Sequence, residues 1–265
     1  MSWSDRFRSK YGPWAIVTGA SDGMGRSFAM ELAKLGFNIV IVARSRDKLD
    51  ELANDLMVQF SISTRVIAAD VGDSLQLEAM MHKISALDIG LFVAAAGFGT
   101  SGPFRKGILA DELNMIDVNC RAVTAMTYHF ANRLVGRGKG GIILFGSLVA
   151  FQGVSRAANY AGTKAYIQTF VEGLRRELKP EGVDVLSVSP GPVSSGFAAR
   201  ANMQLSGAKP EDIPMAALRA LGSKTTVRPG FLAKFLEGSL MPLPRSMRTT
   251  IMALVMGGMT KHQYK

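Results

Sequence analysis

Apolar residues follow two alternating rhythms along the chain. Short runs rich in β-branched residues recur at 14–18 (WAIVT), 38–43 (NIVIVA), 64–69 (TRVIAA), 89–95 (IGLFVAA), 141–145 (GIILF) and 183–188 (VDVLSV). These runs mostly lack the every-second-residue polar break of a half-exposed strand, so each predicts a strand covered on both faces. Between them apolar positions recur at helical spacing over 24–35, 46–60, 73–86, 108–136 and 157–178, with Gly36, Gly90, Gly138, Gly182 and Pro180 where helices should stop. Strand and helix alternate, which predicts an α/β fold with a parallel sheet covered by helices on both faces.

After the sixth strand the texture changes. "SPGPVSSGF" at 189–197 is rich in turn residues and leads into a variable stretch near 192–213, and "TTVRPG" at 225–230 supplies a short seventh strand. The last segment, 231–265, is Met-rich and basic, and "TTIMALVMGGM" at 249–259 is long enough for a short helix only. Three roles stand for it: packing on the body, a contact between subunits, or a peripheral membrane contact, since apolar residues beside Arg245, Arg248 and Lys261 have the composition of an interfacial helix. No repeat, low-complexity stretch or linker divides residues 1–265, so one domain is expected.

Composition narrows the partners. No apolar run approaches the roughly 18 residues that span a bilayer, and "MSWSDRFRSK" lacks the apolar core of a secretory signal. The single cysteine, Cys120, excludes an internal disulfide and fits a reducing, cytoplasmic setting. The net charge is +10, of which residues 200–265 carry ten Lys or Arg against three acids. These charges are scattered, with no zinc finger, RNA-recognition signature or basic helix interleaved with aromatics, so nucleic acid is not an expected partner. His82, His129 and His262 show no ligand spacing, and no metal site is expected.

"TGASDGMG" at 18–25 lies between the first strand and the first helix. Gly19 permits a tight turn, and Gly23 and Gly25 remove β-carbons where backbone approaches a pyrophosphate, met by N–H groups and the positive helix end. The second strand ends in "VARSRDK", where Arg44 stands in place of the acid that binds ribose hydroxyls; this favours the extra phosphate of NADP(H), with a solvated loop arginine as the plain alternative. Tyr160 and Lys164 are four residues apart on one helix face, and Ser147 precedes Tyr160 by thirteen residues.

With "AADV" containing Asp70 and Val71, "AAAG" ending in Ala96 and Gly97, "DVNC" with Asn119, "FGSLVA" with Ser147, "YAGTK" with Tyr160 and Lys164, and "SPGPV" with Pro190 and Val193, the chain resembles the short-chain dehydrogenase/reductase family over about residues 12–230. "YGPWAIVTGASDGMG" and "ELAKLGFNIVIVARSRDKL" are also similar to the branch of 17-beta-hydroxysteroid dehydrogenases and very-long-chain 3-ketoacyl-CoA reductases. The resemblance implies a doubly wound Rossmann fold of about seven strands and a homodimer or homotetramer formed through the helices at 108–136 and 157–178. It implies a dinucleotide held by Gly19, Ser21, Gly23, Met24, Gly25, Arg44, Asp70, Val71, Ala96, Gly97, Tyr160, Lys164, Pro190 and Val193. One departure stands out: where the family usually has N-N-A-G this chain has Ala94, Ala95, Ala96 and Gly97, so Ala94 and Ala95 stand in place of asparagines that brace the sheet.

The implied chemistry interconverts a carbonyl and a secondary alcohol. Tyr160 acts as general acid or base, Lys164 and the positive nicotinamide ring together lower its pKa, and Lys164 holds the nicotinamide ribose. Ser147 binds the substrate oxygen, and Asn119 holds a water that resupplies protons. Plainer readings remain for two of them: Ser147 as a cap on the next segment and Asn119 as a satisfied buried amide. The expected pocket walls are "FGTSGPF", "LVAFQGV" and 192–213, where Phe98, Phe104, Leu148, Phe151, Val154, Phe197, Met203 and Leu205 suit a lipophilic steroid, 3-oxoacyl or terpenoid substrate. A cofactor-binding regulatory or scaffold protein without turnover is the alternative.

Overall fold

A computed structural model describes residues 1–204, 207–230, 239–240 and 242–264. Leu205 and part of the basic C-terminal segment lie outside the described residues. The six predicted runs form strands β1 (Trp14–Thr18), β2 (Asn38–Ala43), β3 (Thr64–Ala68), β4 (Ile89–Ala94), β5 (Gly140–Phe145) and β6 (Val183–Val188). The short β7 (Thr226–Val227) completes a parallel sheet of order β3-β2-β1-β4-β5-β6-β7. The strand order reverses between β1 and β4, the crevice where ligands of open α/β sheets sit.

Side chains alternate along each strand, so one strand feeds two cores. Val17, Ile41, Val93 and Leu186 face a layer containing Phe28, Leu32, Leu49 and Leu52. Ile16, Val42, Phe92 and Val185 face the opposite layer with Met126, Phe130, Ile167 and Val171. The first layer is carried by α2 (Gly23–Lys34) and α3 (Arg46–Phe60), the second by α4 (Ser74–Lys83), α6 (Val123–Gly136) and α7 (Ala158–Leu178), with α5 (Leu109–Ile116) preceding α6 in the chain. The stretch predicted as one helix over 108–136 contains a wider π-helical turn, Asp117–Ala122, between α5 and α6, and this turn carries Asn119. Such turns inside helices often mark functional positions.

The pattern did not predict α1 (Trp3–Tyr11). It starts at a reciprocal cap between Ser2 and Asp5 and buries Phe7 and Tyr11, with Tyr11 Oη donating to Asp184 Oδ2 at 2.6 Å. The chain continues through α8 (Gly196–Arg200) and α9 (Pro214–Ala220) to α10 (Arg245–Met259), which absorbs the predicted helix at 249–259. Among the described residues no helix is long and apolar enough to cross a membrane.

Candidate active site

The turn out of β1 is closely packed. Gly19 has φ +67°, and a β-carbon there would lie 2.7 Å from Ala96 N. A β-carbon on Gly25 would lie 2.2 Å from the Gly19 carbonyl oxygen. Gly25 therefore lets α2 rest on the turn itself. Gly23 (φ +52°) instead lies under Ser195, whose Cβ would be 3.1 Å from a β-carbon there. Asp22, which caps α2 by accepting from Gly23 N at 2.7 Å, faces Arg200 across 3.7 Å. Ser21 sits in the same turn.

At the far end of the crevice Arg44 and Asp70 approach within 3.8 Å. The Arg44 side chain is 68% exposed, while Asp70 also accepts from Gly72 N. Val71 is buried in the core beside them. The segment after β4 is braced despite its alanines: Ala96 N donates to Thr18 Oγ1 at 3.2 Å, and the Asn119 amide exchanges two hydrogen bonds with the main chain of Phe98, at 2.8 and 3.2 Å.

Asn119 is 2% exposed, and its Nδ2 also donates to Thr163 Oγ1 at 3.1 Å; that hydroxyl donates to the Tyr160 carbonyl at 2.8 Å. The satisfied-amide reading thus describes the side chain, and through Thr163 it ties the strap after β4 to the turn of α7 that bears Tyr160. Neither Thr163 nor Gly99 was singled out from the sequence. A β-carbon on Gly99 would be 3.0 Å from Tyr160 Cδ2 and 2.9 Å from Phe197 Cζ, so glycine makes room for both rings.

Tyr160, Ser147 and Lys164 line a cavity of about 410 Å3, within the size range of small-molecule sites. Ser147 does cap the following turn, accepting from Val149 N at 3.3 Å, which leaves its own hydroxyl proton to donate. Burial in the cavity wall pushes the Tyr160 phenol up to about 12, with the Ser147 hydroxyl pulling the other way. Burial thus acts against the lowering expected from the ammonium and the nicotinamide ring. Lys164 Nζ lies 5.7 Å from the Tyr160 ring centroid and donates to the Phe145 carbonyl at 2.9 Å. Burial pulls Lys164 down to about 8, opposed by Cys120.

Met24, Gly97, Pro190 and Val193 line the same cavity. Of the expected substrate walls, Leu148, Phe151, Phe197 and Met203 do so, with the Phe197 and Tyr160 rings 5.4 Å apart. Phe98 packs instead against the core under α6 and α7, Val154 is buried beside Tyr160, and Phe104 is exposed. The wall that sequence reasoning missed is α10, whose Ile251, Met252, Val255, Met256 and Met259 close the cavity. Its C-terminal end is tied to the stretch after β6 by Gln204 N donating to the Met259 carbonyl at 3.0 Å. The tail beyond it is held by Gln263 Nε2 donating to Ser101 Oγ at 2.8 Å.

The family model for short chain dehydrogenases matches residues 13–206. The chain is similar to very-long-chain 3-oxoacyl-CoA reductase-B of Danio rerio, 33% identical over 242 residues, covering 88% of this chain and 78% of that one. A 7beta-hydroxysteroid dehydrogenase of Clostridium sardiniense is 33% identical over 185 residues, 70% of this chain and 71% of that one. Among solved structures, a short-chain dehydrogenase from Sphingobium yanoikuyae in complex with NADPH superposes with a TM-score of 0.78 at 27% identity, covering 87% of this chain and 94% of that one. With the sheet order, the glycine turn and the Ser147, Tyr160 and Lys164 cluster, these matches establish that the chain belongs to the short-chain dehydrogenase/reductase family.

Proposed function

We propose that this oxidoreductase is NADP(H)-dependent and interconverts a carbonyl and a secondary alcohol on a lipophilic substrate of steroid, 3-oxoacyl or terpenoid type. The observation that carries this reading is the convergence of Tyr160, Ser147 and Lys164 in the wall of a largely apolar cavity. The residues present fit a dinucleotide. Gly19 and Gly25 bring the turn and the start of α2 together at the carboxyl edge of the sheet, where the helix end favours a pyrophosphate.

Arg44 would meet a 2′-phosphate, since its exposed pairing with Asp70 is weak and easily exchanged. Ser21, Gly23, Asp70, Val71 and Ala96 would flank the adenosine end, and Met24, Gly97, Pro190, Val193 and Lys164 the nicotinamide end. When bound, the cofactor supplies the hydride. The NADPH complex of the Sphingobium yanoikuyae relative supports the phosphorylated form, and the names of the curated relatives support an acyl or steroid body.

The chain's own part is proton delivery and orientation. Ser147 donates to the carbonyl oxygen, and Tyr160, neutral across the working range, transfers its proton to that oxygen as negative charge develops. Lys164 sits behind Tyr160 and replaces the proton through a water held near Asn119. The family habit of assembling identical chains extends to this reading, supported by the exposed Leu109, Leu113 and Ile116 on α5.

Two measurements test it. A panel of lipophilic ketones should oxidise NADPH at least about tenfold faster than NADH, the difference one charge-assisted phosphate contact makes. Tight NADPH binding with no turnover across the panel would favour the scaffold alternative. The pH profile follows Lys164. Its ammonium is present below about 8 and lost above, whereas Tyr160 keeps its proton to about 12. kcat/KM for reduction should therefore be flat on the acid side of 8 and fall roughly tenfold per pH unit beyond it. A profile flat through pH 10 would remove Lys164 from proton delivery.

A further inference from the structure

Beside the proton-transfer cluster stands a carboxylate that the chemistry above does not use. Glu112 lies on α5 and is 8% exposed. Its Oε1 accepts from Thr100 Oγ1 at 2.7 Å, and its Oε2 accepts from Asn159 Nδ2 at 2.7 Å. The same Nδ2 donates to the Glu112 main-chain carbonyl at 3.0 Å, and because both partners can only accept, the orientation of the Asn159 amide is fixed. One side chain thus bridges the strap after β4 and the first turn of α7.

Both residues it holds adjoin the acid's immediate surroundings. Thr100 follows Gly99, the glycine that leaves room for the Tyr160 ring, and Asn159 precedes Tyr160 itself. A β-carbon on Gly99 would come within 3.0 Å of Tyr160 Cδ2, so the strap backs the ring directly. Glu112 precedes Asn119 by seven residues along one helical stretch, and the strap residues they hold, Thr100 and Phe98, are two apart. Gly99 is therefore pinned from both sides. At the helix, Ala157 has no oxygen with which to cap α7, and the first turn carries no acid. Glu112 brings a negative charge from α5 to this positive helix end.

We propose that Glu112 is a positioning residue for the carbonyl reaction: by holding Thr100 and Asn159 at once, it fixes the Tyr160 ring against Gly99 and so aims the phenol proton at the substrate oxygen. The inference rests on the reading of Tyr160 as the acid, and it gives α5 the part of holding that acid in line. Such alignment is worth much in rate, since a misplacement of about 1 Å can cost about a hundredfold.

Glu112→Ala is expected to lower kcat for ketone reduction about ten- to a hundredfold, with ketone KM and NADPH affinity within about threefold of wild type, the split of an interaction felt in the transition state. Glu112→Gln should recover kcat to within about threefold of wild type, because its amide can donate to the Thr100 hydroxyl while its oxygen still accepts from Asn159. A role in stability alone would lower the urea midpoint and leave kcat per folded enzyme unchanged. A second measurement needs no turnover. With 3-fluorotyrosine at the five tyrosines, the Tyr160 fluorine resonance, assigned by its loss in Tyr160→Phe, should shift and broaden in Glu112→Ala and return in Glu112→Gln. Unchanged kcat in Glu112→Ala, a loss that Glu112→Gln shares in full, or an unmoved resonance overturns the proposal. If Tyr160→Phe proved fully active, the acid reading would fall, while the resonance would still report whether Glu112 holds the ring.

Discussion

Tyr160→Phe is expected to slow ketone reduction by roughly a hundred- to ten-thousand-fold, the range in which a positioned acid contributes to proton transfer. The substitution removes one oxygen and keeps the ring, so the packing against Phe197 and the room left by Gly99 are preserved. NADPH affinity should fall by no more than about tenfold, the worth of one neutral hydrogen bond. Solvent is a poor replacement donor, because the cavity around the lost hydroxyl is walled by Phe197, Met203 and the methionines of α10. The neutral phenol is a competent donor because burial holds it near 12, well above working pH. Single-turnover hydride transfer from bound NADPH reads the effect directly. A variant that reduces its ketone at the wild-type rate would remove Tyr160 from the chemistry.

Much of this site is legible in the sequence because its parts are local. Strands buried on both faces must be apolar throughout, so β1 to β6 appear as short runs, and the glycine turn lies between two such signals. Tyr160 and Lys164 share a helix face by spacing alone. Distances set by packing are not legible in this way. The periodicity at 249–259 predicts a helix, but nothing in it says that Met252 and Met256 close the space in front of Tyr160. Phe98 and Phe197 are equivalent in composition. One turns into the core because Asn119 holds its backbone, and the other reaches the cavity from the loop after β6.

The burial of Tyr160 depends on packing in the same way. A nearby ammonium can be inferred from spacing, whereas the burial that outweighs it depends on α10 and α8, which come from elsewhere in the chain. The N-terminal helix carries a local signal of its own: Ser2 and Asp5 have the spacing of a reciprocal cap, and Trp3, Phe7 and Tyr11 lie four apart on one face. Its interior is otherwise polar, so the charge pattern obscured the aromatic stripe.

The second large effect is expected at Gly25, whose replacement by alanine should destabilise the fold by about 3 kcal/mol or more and weaken NADPH binding at least about a hundredfold. The new β-carbon would lie 2.2 Å from Gly19 O, 2.6 Å from Gly19 C and 3.1 Å from Ala20 N, all main-chain atoms with no rotamer to change. Nor can Gly19 retreat, since it has φ +67° and already abuts the backbone of Ala95 and Ala96, where a β-carbon of its own would lie within 2.8 Å. Either α2 lifts off the turn or the turn opens, and both separate the helix end from the place a pyrophosphate would occupy. Gly173→Ala is the matched control: it lies exposed in α7 with nothing within 4 Å of a new β-carbon, and alanine should add about 0.5–1 kcal/mol through helix propensity. Urea unfolding midpoints and NADPH titrations of the two variants therefore move in opposite directions for stability, and only Gly25→Ala loses the cofactor. If Gly25→Ala matched the wild type in both measurements, the close seat of α2 on the β1 turn would not be what holds the cradle in shape.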